Sequence, residues 1–198
     1  AGTVTLNADA GAGDLNDVVS STTGAIGITG DFVTQDANIT TGGTGTVNVT
    51  ADLVNTGDIT MASTATTTTG SGDIIYSARN DVVLSLLNTT AGNAFVTATT
   101  GAITDANAGN LNVDAINLAL VAGTGIGTAA DAIDTDVVRF EGDGGTAGLF
   151  LVNQNALNVG GVNTLVGASA VGDVDITTLA GDLQVLELVQ STSQSVTL

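Results

Sequence analysis

The chain has 198 residues, a net charge of −18 and only two basic side chains, Arg79 and Arg139. That balance excludes binding of nucleic acid through a basic stripe along the phosphate backbone, and an anionic membrane surface would repel the chain. Apolar residues make up 43% but aromatics only 3%, with no Trp and no Cys. The interior is therefore narrow and built from Val, Ile, Leu and Ala, with no disulfide scaffold and no thiolate metal site.

Helix is disfavoured throughout. Lys is absent, and Glu141 and Glu187 are the only Glu among the 20 acidic residues. Asp prefers turns and caps, and the abundant Thr and 27 Gly favour strands and tight corners. Mean hydropathy is +0.41. Even so, the longest apolar runs, such as 148–152, are far short of a spanning helix. The aromatic girdles of an outer-membrane barrel are missing too. The opening residues have no signal-peptide pattern, so the chain reads as a mature protein or an excised segment.

In chain order, short alternating runs open on Gly: GTVTLNA (2–8), GAIGITGDF (24–32), GTVNVTADL (45–53), GDIIYSA (72–78), GNAFVTA (92–98) and GDVDITTL (172–179). Several of the first five starts lie roughly 20–22 residues apart, the length of one solenoid turn; one longer step coincides with the Thr-rich 64–70. A second, offset strand is expected inside most turns, at 31–41, 52–62 and 81–87. In 45–51, Val47 and Val49 fall on one face and Asn48 and Thr50 on the other, so the valines point inward and the polar pair forms outward ladders. Gly is expected to supply positive-φ corners. The prediction is one all-β domain over 1–198, a single-stranded parallel β-helix (β-solenoid) of about nine rungs, with Thr/Gly-rich rungs over 1–100.

The rungs over 101–198 carry a resemblance, mainly over 101–187. GAITDANAGNLNVDAINLALVAGTGIGTAADAID (101–134), GLFLVNQNALNVGGV (148–162) and GDVDITTLAGDLQV (172–185) resemble repeats of giant bacterial surface proteins of the filamentous-haemagglutinin-like and large adhesin type. The run 118–130 is the most specific part, and Asp131-Ala132 stands where that pattern often carries Pro. The resemblance implies a right-handed parallel β-helix at the bacterial cell exterior, acting in adhesion, aggregation or filament building. It brings no catalytic residues. The implied partners are further rungs of a longer chain or other copies stacked end to end, together with host or neighbouring-cell glycans or proteins.

Asp134 with Asp136, and Asp173 with Asp175, each place two carboxylates on one strand face, and Asp143 lies in the Gly-rich 141–145. Such pairs are weak candidates for Ca²⁺, because the regular Asp spacing of a Ca²⁺-binding repeat is missing. Solvated corner carboxylates that keep the rod soluble account for the same residues. No other cofactor is expected. Parallel β-helices also host polysaccharide lyases and hydrolases, but with no His, Lys or Cys the chain reads as a non-enzyme. Arg79 is expected to pair with Asp73 and Asp81, and Arg139 with Asp136 and Glu141. The Thr-x-Thr pairs at Thr3/Thr5, Thr44/Thr46, Thr64/Thr66 and Thr97/Thr99 could make an ice-binding face only if stacked in register, and their spacing is irregular. Three glycosylation-type triplets begin at Asn38, Asn48 and Asn88 and are expected by chance. At the ends, Val4 with Leu6 and Val196 with Leu198 suggest open apolar edges. The sequence thus reads as a structural or adhesive module of a long secreted surface protein or filament, with a small self-assembling, pilin-like fibre or surface-layer subunit as the alternative.

Overall fold

A computed structural model describes residues 2–8, 11–52 and 57–198. Within them the chain forms 24 strands and no helix, and the strands stack in parallel as a β-solenoid. One column traces the winding: Gly13, Val33, Ile59, Val82, Ile103, Ile126, Leu149, Val174 and Val196 lie over one another, one per turn, giving nine turns.

Each turn has three walls, one more than the two strands expected. In the early turns the first wall holds Ile26–Gly30, Val47–Ala51 and Ile74–Ala78. The second holds Phe32–Gln35, Ile59–Met61 and Val82–Leu84. The third holds Ile39–Thr41, Thr66–Thr69 and Leu86–Thr89. The expected segments 31–41 and 81–87 thus each span two walls. Some of 52–62 lies outside the described residues. Further on, Val113–Ala122 and Ile133–Asp143 each run from the third wall into the first without a break.

The return length varies from 18 residues (Ile133 to Leu151) to 28 (Ile39 to Thr67). The long step does not come from the Thr-rich stretch, which is itself the third-wall strand Thr66–Thr69. Its extra residues fall between Ala51 and Ile59, a stretch that includes residues 53–56 outside those described.

Alternation decides which side chains enter the core. Val47 and Val49 are buried while Asn48 and Thr50 face out, as expected. Ile26, Val47, Ile74, Ala94, Leu118, Phe140 and Val159 form one buried column of the first wall. Burying one such Val, Leu, Ile or Phe contributes about 1.5–3 kcal/mol. Six of these seven are aliphatic and Phe140 is the one aromatic ring, each with a rung directly above and below it.

The glycines that open the first-wall runs have a different role from the one expected. Gly24, Gly45, Gly72 and Gly92 are not among the positive-φ residues. They stack at one corner, where the carbonyl of one rung presses on the next: a Cβ on Gly45 would lie 2.6 Å from the Gly24 oxygen. Close approach, rather than backbone handedness, demands Gly here.

Polar side chains also enter the core, and each is matched. Tyr76 Oη donates to Gln35 Oε1 (2.5 Å) and lies 2.6 Å from Thr67 Oγ1, while Gln35 Nε2 donates to the Ala37 and Thr66 carbonyls. Burial pushes the Tyr76 hydroxyl well above the usual tyrosine range, the Thr67 hydrogen bond opposing that only partially. Higher up, Thr135 Oγ1 donates to Asn153 Oδ1 (2.8 Å), and the Asn153 amide bonds both backbone groups of Val137.

Candidate functional site

The five carboxylates singled out for Ca²⁺ are held apart by separate tasks. Asp136 accepts two hydrogen bonds from Asn155 Nδ2 (2.9 and 3.0 Å) and lies beside Asp114 of the preceding rung. Asp143 accepts from the Gly145 N–H (3.1 Å), closing a turn. Asp173 accepts from the Ser195 N–H (3.0 Å), and Asp175 from the Thr177 hydroxyl (3.4 Å). The Asp134 N–H donates to Asn112 Oδ1 (2.9 Å). Partial burial, then the charges of Asp105 and Asp131, raise its carboxyl above the usual range. Partial burial and Asp136 raise Asp114 likewise. Among the described residues no three carboxylates come together as metal ligands would.

Asp173 illustrates a device that sequence reading missed. Asp58 Oδ1 accepts from the Asp81 N–H, Asp81 Oδ1 from the Ala102 N–H, and Asp73 Oδ1 from the Asn93 N–H. Each acceptor stands just before the first core residue of a strand and clamps the same place one turn later. Asn38 and Asn112 do the same for Thr66 and Asp134. The signal was present as Asp or Asn before several apolar runs, but its partner lies a full turn away.

Both arginines depart from expectation. Arg79 faces Asp52 across 3.9 Å, not Asp73 or Asp81, and both partners are well exposed. Arg139 Nη1 reaches the Gly160 carbonyl (3.4 Å), not Asp136 or Glu141. Glu141 is fully buried although it sits between the inward Phe140 and Gly142, because segment 160–167 crosses over it. Its two oxygens accept from the Val162 and Asn163 N–H groups (2.8 and 2.9 Å), and Glu187 Oε2 accepts from the Gly167 N–H (2.9 Å). The only two Glu therefore fasten one strap. That rarity was the available clue, since Glu reaches one methylene further than Asp.

The Thr-x-Thr pairs do not stack with each other. Thr5 pairs with Gly27, Thr66 with Leu86, and Thr97 with Ser77 and Val121. A hydroxyl column does form elsewhere, through Thr29, Thr50, Ser77 and Thr97.

No protein-family model matches the chain, and neither a curated protein nor a solved structure matches it. Function has to be read from the molecule itself.

A cleft of about 440 Å³ lies where the second wall turns into the third. Segment 105–111 leaves the rod there and forms one side. Asp105 fixes it from within, Oδ1 accepting from the Asn107 N–H (2.6 Å) and Asn112 Nδ2 (2.7 Å), and Oδ2 from the Gly109 N–H (3.3 Å). Asn110 Nδ2 donates to the Asn107 carbonyl (2.7 Å). At its tip Ala108 takes φ 47°, the one non-Gly residue with positive φ among the described residues. Ser63, Thr64, Thr66, Ser85, Leu86 and Gln154 form the rest of the lining. Nothing in the local sequence marked this place, because its sides come from different turns.

Proposed function

We propose that this chain is a non-catalytic structural and adhesive module of a long secreted bacterial surface protein or filament. The observation that carries the reading is a rod whose core columns continue through all nine turns into its last described rung. There Leu188 is 55% exposed, Val196 42% and Leu198 57%. Such a rung offers apolar side chains and a row of strand N–H and C=O groups, a template on which another rung stacks. A second copy of this chain can supply that rung. The acidic, Lys-free surface and the likeness of 101–187 to adhesin repeats support an exterior location.

The test is end-to-end growth. The chain should form rods that lengthen with concentration, seen by light scattering and electron microscopy. Val4→Lys combined with Val196→Lys places a charge in a core column at each end and should stop the growth. A chain that stays monomeric at high concentration, or a double variant that forms the same rods, overturns the reading.

A further inference from the structure

We infer that the cleft beside segment 105–111 binds a neutral oligosaccharide; the inference rests on the adhesive half of the function proposed above. Its volume, about 440 Å³, falls within the range of small-ligand sites. Its lining is uncharged among the described residues, on a chain whose net charge is −18. The hydroxyls of Thr64 and Thr66, the amide of Gln154 and the amide oxygen of Asn110 supply both donors and acceptors, which a polyol needs at alternating positions, while Ser85 is buried with its hydroxyl donated to the Ser63 carbonyl. Leu86 gives an apolar patch for the C–H face of a sugar ring.

The same lining argues against other ligands. A metal ion finds no free carboxylate, because that of Asp105 is turned into its own loop. A sulfated or sialylated glycan finds no positive side chain, and the surrounding field repels it.

The cleft is also built in advance. The Asp105 network holds the loop, and Ala108 sits in a left-handed conformation that L residues seldom adopt unless their surroundings impose it. A wall already fixed loses little freedom when a ligand arrives.

The full chain is applied to a printed array of neutral, sialylated and sulfated oligosaccharides, and each retained compound is titrated by calorimetry. Neutral compounds should be retained, with dissociation constants of roughly micromolar to millimolar, and the charged ones should not. Thr64→Trp, which fills the cleft, and Asn110→Ala should each weaken binding by about tenfold or more. Thr50→Trp on the first wall should leave it unchanged, and circular dichroism should show all three variants folded. The proposal is overturned if no neutral oligosaccharide is retained, if charged ones are preferred, or if Thr64→Trp and Asn110→Ala bind like the parent. Rod growth without sugar binding removes this site alone, whereas sugar binding without rod growth removes only the end-to-end reading.

Discussion

The buried triad of Gln35, Thr67 and Tyr76 makes the energetics of this core measurable. Tyr76→Phe removes one hydroxyl and with it the bonds to Gln35 Oε1 at 2.5 Å and Thr67 Oγ1 at 2.6 Å. Thr67 Oγ1 lies 3.4 Å from Gln35 Oε1 and can redirect its proton there, so one group is partially rescued. At about 1 kcal/mol per neutral hydrogen bond, the expected cost is about 1–2 kcal/mol. Gln35→Met should cost more, about 2–3 kcal/mol, because the Ala37 and Thr66 carbonyls also lose their donor. For a chain this long, each kcal/mol lowers the melting temperature by about 2–4 °C. Thermal and guanidinium unfolding followed by circular dichroism should therefore rank parent, Tyr76→Phe and Gln35→Met in falling order. Alkaline pH supplies a second reading. The Tyr76 hydroxyl is raised in the folded state, so the fold holds its proton more tightly than the unfolded chain does. Its contribution is complete below about pH 10 and is lost as pH rises further, so the gap between parent and Tyr76→Phe should close there. A Tyr76→Phe chain as stable as the parent at neutral pH would refute the account of a matched polar core.

Gly45→Ala puts a methyl 2.6 Å from the Gly24 oxygen and should destabilise by about 1–3 kcal/mol in the same unfolding assay. Glu141→Ala leaves the Val162 and Asn163 N–H groups without their acceptor. Limited proteolysis should then cut first within 160–167 while the strand signal persists. Asp114 and Asp134 have raised carboxyl pKa values, so the fold favours their protonated forms and loses stability as pH rises through the folded values. Asp134→Asn should therefore raise the melting temperature at neutral pH, with the gain vanishing in acid, where both carboxyls are protonated. Added NaCl should stabilise the acidic rod, and CaCl₂ at matched ionic strength should do little more; a large extra shift at micromolar Ca²⁺, reversed by chelator, would establish a specific site.

How much of this was legible depends on where the information lies along the chain. First-wall strands such as Val47–Ala51 announce themselves, because alternation and the opening Gly are local. The third wall does not. In Thr66–Thr69 both the inward Thr67 and the outward Thr68 are Thr, so no apolar alternation marks the strand. Inward Gln35 and Asn153 likewise break the pattern, and only their partners on neighbouring rungs explain them. The Asp clamps, the Glu-fastened strap and the sides of the cleft all join residues about a turn or more apart. The strands could be read from neighbours in sequence, whereas the places where function would reside come from neighbours along the rod.

The parallel pairing has a mechanical consequence. Hydrogen bonds between rungs point along the rod, so a pull on its two ends loads them lengthwise and the rungs separate in succession, as in a zipper. Shearing of many bonds at once, which gives some β-proteins high resistance, has no counterpart in this geometry. A rung occupies about 4.8 Å of rod. Once released, even its shortest form, the 18 residues from Ile133 to Leu151, can extend to more than ten times that length. A rod made this way yields gradually under drag and rewinds when the load falls, acting as a shock absorber between whatever holds its two ends.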